Sequence, residues 1–217
     1  MDSTRRARRL AAVIALVAGG AVVLQLGLNV ARAATEGRPL WMAPIDLFGY
    51  FTIWSNTLVA LVTARFASGG NGRSLFGRPW LQAAAVIYII VVGLIYNTLL
   101  AQYNPQVGVR KLLDLTFHTI IPIAYPLWWL TQTPRGRLGW NALAPALILP
   151  MAYSFVAMTK GAITGKYAYF FIDIGKYGVP QVLVNIAGLA LLYALLMAVI
   201  IAFDRRVGGA AAPRPAG

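Results

Sequence analysis

The sequence predicts an all-α integral membrane protein, a six-transmembrane-helix bundle with both termini cytoplasmic, and three observations carry that prediction. The chain of 217 residues is 59% hydrophobic and only 12% charged, a balance that leaves too little polar surface to cover a soluble domain. Its apolar residues fall into six runs of about 20, the length that crosses a hydrocarbon core about 30 Å thick. Its Lys and Arg residues lie between those runs and more on one side than the other, as topology signals do.

The runs extend over Leu10–Ala31, Ile45–Ala64, Trp80–Ala101, Leu112–Thr131, Trp140–Thr159 and Pro180–Phe203. The first follows Arg5, Arg6, Arg8 and Arg9 as a secretory signal would, but it is longer than a signal core and reads as a retained helix. Breakers separate the others: Gly69, Gly70, Asn71 and Gly72 after the second, Asn104 and Pro105 after the third, and Thr133 to Gly136 after the fourth. The stretch from Lys160 to Val179 is the one long connection. Residues 1–206 thus form one transmembrane domain, and the Ala, Gly and Pro of 207–217 predict a disordered cytoplasmic tail.

Twelve of the 19 Lys and Arg residues fall at the termini and in the second and fourth loops, and seven in the loops between. Glu36, Asp46, Asp114 and Asp173 lie at or near the poorer side. By the positive-inside rule both ends are cytoplasmic, which in a bacterial cell places the chain in the inner membrane. A net charge of +13 then predicts contact with anionic lipid head groups rather than with nucleic acid. The oligomeric state is not readable.

Polar groups inside hydrocarbon are costly and therefore informative. Thr52 lies about seven residues into the second run and His118 about six into the fourth, so at 1.5 Å per residue both fall roughly 10 Å below the outer boundary. Asn56 is one turn below Thr52, and Asp114 is one turn above His118. Asn97, Tyr153, Ser154 and Asn185 occupy the outer halves of three further runs, and together these residues predict a polar pocket opening outward. Either they satisfy one another as helix–helix glue, or the pocket does chemistry. His118, the only histidine, is suited to proton transfer near neutral pH, and equally to serving as a structural donor. Asp114 also fits a solvated charge at a helix start.

Other chemistries lack their ligands. One histidine and no cysteine predict no zinc or other metal site, no bis-histidine haem and no thiolate nucleophile. A Gly-rich phosphate loop is absent from the sequence, so no nucleotide cofactor is expected. Trp41, Trp80, Trp128, Trp129 and Trp140 fall near run ends as an interfacial belt.

Three segments carry a family likeness: Tyr50-Phe51-Thr52-Ile53-Trp54-Ser55-Asn56, Lys111-Leu112-Leu113-Asp114 leading to His118-Thr119-Ile120-Ile121-Pro122, and Tyr169-Phe170-Phe171-Ile172-Asp173. They resemble the bacterial Pr-six-Pr membrane proteins and, more distantly, the eukaryotic androgen-induced-gene and androgen-dependent-TFPI-regulating hydrolases. Phe170 stands where the family pattern has proline. The resemblance spans all six runs and implies an intramembrane hydrolase of fatty-acid esters of hydroxy fatty acids, with Thr52 as nucleophile and His118 as base. With that pair in place, Asn56, Asn97 or Asn185 are candidate oxyanion donors and Asp114 a candidate to orient the ring, while Tyr169 and Asp173, in the segment matching the family's aromatic-acidic pattern, are candidate supporting residues. The competing expectations are a lipid- or small-molecule-binding carrier or sensor using the same pocket, and a transporter. For the last, Pro122, Pro126, Pro145 and Pro150 offer kinks, but no repeat relates the halves.

Overall fold

The computed structural model describes residues 2–69, 74–103 and 105–210. Among them every regular element is helical. The helices are α1 (Asp2–Thr35), α2 (Met42–Leu47), α3 (Phe51–Ala67), α4 (Pro79–Ile95), α5 (Gly108–Leu115), α6 (Ile121–Gln132), α7 (Pro145–Thr164) and α8 (Ile174–Ala210). The predicted breakers Gly70, Asn71, Gly72 and Asn104 lie outside the described residues, as do residues 211–217 of the expected tail. The helix α8 itself continues past Arg206 to Ala210.

Among the described residues four helical stretches are long and apolar enough to cross a membrane: Thr4–Thr35, Pro79–Tyr103, Trp140–Thr164 and Ile174–Gly209. Large apolar side chains such as Leu16, Val23, Phe155 and Val199 stand exposed on them. Helices apolar on their outer faces as well as toward the core mark a membrane-embedded protein. The other two predicted runs depart from that standard for identifiable reasons. The second breaks at Phe48–Tyr50, leaving α2 as a separate turn and a 17-residue α3. The fourth carries Asp114, His118, Pro122 and Pro126 within its length.

Sequence dictates the packing. Along α1, Ala7, Ala11, Ile14, Ala18 and Ala21 are buried at alternating spacings of four and three, a narrow stripe of mostly small side chains that brings the helix close along α3. A Cβ on Gly19 would sit 3.6 Å from the Ala60 Cβ. The helix α4 is buried nearly all round, from Ala83 to Ile89 without interruption, and packs against α3, α6, α7 and α8. It is the centre of the bundle. Tyr88 donates to the Ala146 carbonyl at 2.5 Å and Tyr125 to Gln82 at 2.9 Å, so the buried hydroxyls are satisfied by neighbouring backbone.

One end of the bundle is tied by the loop after α6. The buried Asp204 carboxylate accepts from the amides of Arg137 (2.7 Å) and Leu138 (2.9 Å) and lies 3.8 Å from the Arg135 guanidinium. That guanidinium stacks over Trp129 at 4.0 Å and donates to the Trp129 carbonyl. At the other end α7 runs to Thr164, where Gly165, at φ 69°, ends it. The predicted long connection therefore shortens to residues 165–173, and Gly178 (φ 73°, ψ 159°) breaks α8 just before Pro180, a conformation open essentially to glycine.

Candidate active site

The site is assembled where three helices deviate from regular geometry. Thr52 does not lie two turns inside a continuous helix, as the second run predicted. It is the second residue of α3, because the chain turns at Phe48–Tyr50. Gly49 lies in that turn with little room: a Cβ there would stand 3.1 Å from the Asp46 carbonyl oxygen and 2.7 Å from the flexible end of Lys160. The turn is held by Tyr153, which donates to the Gly49 carbonyl at 2.8 Å, and by Trp54, which donates to the Phe48 carbonyl at 2.7 Å.

His118 sits in a π-helical turn, Thr116–Ile120, between α5 and α6, and Tyr96 and Asn97 open a second one, Tyr96–Leu100, at the end of α4. Such wide turns recur at functional sites because they leave carbonyls unpaired and re-aim side chains. Pro122 explains part of the first: it has no N–H for the His118 carbonyl four residues back. The Ile121 amide reaches past Phe117 to Thr116. Both freed carbonyls are taken by asparagines from neighbouring helices. Asn97 Nδ2 donates to His118 O at 2.8 Å, and Asn56 Nδ2 donates to Phe117 O at 3.4 Å. The helices can approach there because Gly93 has no Cβ; one would lie 2.7 Å from Pro122 Cβ and 3.2 Å from His118 O.

The resulting constellation is linear. Thr52 Oγ1 lies 3.4 Å from His118 Nε2. The ring's other nitrogen, Nδ1, is 3.1 Å from Asp114 Oδ1 and 3.0 Å from the Asp114 carbonyl. Both Nδ1 neighbours are acceptors, an arrangement that favours the proton on Nδ1 and leaves Nε2 toward the Thr52 hydroxyl. The order of hydroxyl, imidazole and carboxylate is that of a nucleophile, a base and an orienting acid. Its 3.4 Å step is slightly beyond the 2.6–3.2 Å usual for a formed hydrogen bond, and such contacts commonly tighten when substrate binds. Tyr96 stacks flat on the imidazole, 3.5 Å between centroids and 9° between planes.

Thr52 opens into a cavity lined mainly by apolar and aromatic side chains, among them Val92, Tyr96, Pro150, Tyr153 and Tyr169. Its volume is small, about 50 Å³. Tyr169 lines this cavity together with Thr52, its ring packed edge-on against Tyr153 with centroids 6.2 Å apart. No family model, curated protein or solved structure matches this chain.

The geometry of the site divides the predicted residues. Thr52, His118 and Asp114 are brought together, and Tyr169 and Ser154 share the cavity with Thr52. Asn56 and Asn97 are adjacent, but each spends both amide protons on backbone: Asn56 on Thr52 O and Phe117 O, Asn97 on Gly93 O and His118 O. Neither has an N–H left for an oxyanion. Ser154 donates to Pro150 O at 2.9 Å. Asn185 donates to Phe171 O at 2.7 Å, fixing the segment that carries Tyr169. Asp173 accepts from the Lys176 amide at 3.1 Å and so caps the start of α8. Tyr96 was not singled out by the sequence; its signal is an aromatic residue directly before a buried-run asparagine. Among the described residues no group of three or more His, Cys, Asp or Glu is placed to hold a metal.

Beside the site, Asp46 of the short helix α2 meets Arg38 at 2.8 Å and Lys160 of α7 at 3.5 Å. Burial pushes the Asp46 carboxyl up, and the hydrogen bond and charge of Arg38 with the charge of Lys160 outweigh it, leaving it below the usual carboxylate range.

Proposed function

We propose that the chain is an intramembrane hydrolase of lipid esters that uses Thr52 as nucleophile and His118 as base. The observation that carries this reading is the line from the Thr52 hydroxyl through His118 to Asp114, standing beside an apolar cavity. In the first half-reaction Thr52 Oγ1 attacks the ester carbonyl carbon while its proton passes to His118 Nε2. The C–O bond to the alcohol then breaks, and the alcohol leaves with that proton. Water attacks the acyl-threonine, gives its proton to Nε2, and the fatty acid departs as Thr52 takes the proton back. Asp114 supports the transient imidazolium throughout.

The cavity wall suits an acyl chain entering sideways from the bilayer, and a fatty-acyl ester of a hydroxy fatty acid fits both the apolar wall and the resemblance to the Pr-six-Pr and androgen-induced-gene families. With the amides of Asn56 and Asn97 committed to backbone, the Tyr169 O–H is the donor we assign to the developing oxyanion. The topology in this reading is six spans, the fourth formed by α5, the π turn and α6 together, with both termini cytoplasmic in an inner membrane. Arg5, Arg6, Arg8, Arg9, Arg205 and Arg206 then face anionic lipid head groups.

Purified protein in mixed micelles should hydrolyse a long-chain ester, and Thr52→Ala and His118→Ala should each abolish turnover while the protein still folds. Full turnover in either variant overturns the reading. A carrier or sensor of lipids is the second reading, favoured by the almost wholly apolar cavity wall. Stoichiometric bound lipid with no turnover by the wild type would select it.

A further inference from the structure

Tyr96 is the group closest to the imidazole that the reaction above does not use. Its ring lies parallel to His118 at 3.5 Å, whereas Phe117, the other aromatic neighbour, stands edge-on at 6.4 Å. It also forms part of the cavity wall alongside Thr52. The histidine is thereby held on one edge by Asp114, approached on the other by Thr52, pressed on one face by Tyr96, and anchored through its own carbonyl by Asn97.

We propose that Tyr96 is a positioning residue that fixes the plane of the His118 ring against Asp114, so that only the Nδ1–H tautomer is populated and Nε2 stays aimed at Thr52. Unrestrained neutral imidazole favours the opposite tautomer, with the proton on Nε2, where it would leave no lone pair for the Thr52 proton. Rotation of the ring out of its plane would separate Nδ1 from both Asp114 acceptors at once. A flat aromatic face at van der Waals distance blocks that rotation. When Nε2 takes up the proton, the same face lies against a cationic ring, a favourable arrangement with a desolvated π system. The kinetic consequence rests on the hydrolase reading; the tautomer does not.

The test uses the fact that His118 is the only histidine, so nitrogen-15 histidine labelling reports a single imidazole. In micelles at neutral pH the wild type and Tyr96→Phe, which keeps the ring, are expected to show the Nδ1–H tautomer alone. Tyr96→Leu is expected to show a mixture with the Nε2–H form. In the ester assay Tyr96→Leu should lose about 10–100-fold in kcat with KM changed less than about twofold, and Tyr96→Phe should stay within about fivefold of wild type. A single Nδ1–H tautomer in Tyr96→Leu overturns the proposal even if Thr52→Ala and His118→Ala are inactive. A mixture in that variant upholds it even if the wild type proves to have no esterase activity. Should Tyr96→Leu not fold, Tyr96→Met refills the volume without an aromatic face and carries the same two outcomes.

Discussion

Replacing Gly93 with alanine perturbs the site from behind, at a residue that touches neither substrate nor proton. The added Cβ would lie 2.7 Å from Pro122 Cβ and 3.2 Å from the His118 carbonyl oxygen. Carbon atoms in contact settle at about 3.5–4.0 Å, so α4 and the Pro122 turn must separate by close to 1 Å. Both partners are backbone or a rigid ring, and neither can swing aside. Overpacking of this kind costs about 1–3 kcal/mol, which predicts a melting temperature roughly 2–12 °C lower for a chain of this size. The separation also stretches the Asn97 bond to His118 O, now 2.8 Å, and carries the imidazole away from Thr52, already at 3.4 Å. A misplacement near 1 Å costs about 100-fold in rate. Thermal unfolding by intrinsic fluorescence and ester turnover in the same micelles read both effects. Gly93→Ala with wild-type melting and wild-type turnover would refute the packing argument and the claim that helix approach sets the dyad distance.

Further perturbations separate structural from chemical roles. Asn97→Leu strips the His118 and Gly93 carbonyls of their partner and should cost about 1–3 kcal/mol of stability; a fall in kcat with unchanged melting would instead make Asn97 an oxyanion donor. Asp204→Ala leaves the Arg137 and Leu138 amides and the Arg135 guanidinium without their buried carboxylate, a loss of about 3–5 kcal/mol, checked by thermal unfolding and by protease cleavage after Arg135 or Arg137. The Asp46 carboxyl is held below its ordinary value by Arg38 and Lys160, so its folded pKa lies under its unfolded one. Its contribution is complete above the unfolded pKa of about 4 and disappears as pH falls through the lower, folded value. Melts of Asp46→Asn should therefore lie below wild type at pH 7 and converge with it as the pH drops under about 4; a constant gap would contradict the ion pairing.

The helical, membrane-embedded character was legible in the sequence because it depends only on run length and composition. The pairing of Thr52 with His118 was legible for a cruder reason: two polar groups, each costly in hydrocarbon, fall at similar distances from their run starts. The means by which they meet was not visible. Ile45–Ala64 reads as one uninterrupted apolar run, and only Gly49 marks the turn that puts Thr52 at a helix start rather than two turns within one. Hydropathy cannot register that turn, since Phe48 and Tyr50 are as apolar as their neighbours. The π turns were also invisible, although Pro122, four residues after His118, is the physical reason one carbonyl is left unpaired. Asn56 and Asn97 were singled out as polar residues within apolar runs. Residue type alone favoured helix–helix glue over catalysis for each, and their amide protons are indeed committed to backbone carbonyls. Asp173, in the aromatic-acidic segment before α8, reads as a site residue from the motif and serves as a helix cap.

The proposal depends above all on Thr52 becoming a nucleophile through His118. A fluorophosphonate probe that forms a stable adduct, followed by proteolysis and mass spectrometry, tests this directly. The account predicts one adduct, on the peptide containing Thr52, present in the wild type and absent in His118→Ala. An adduct on any other residue, or equal labelling of Thr52 without the histidine, would contradict it.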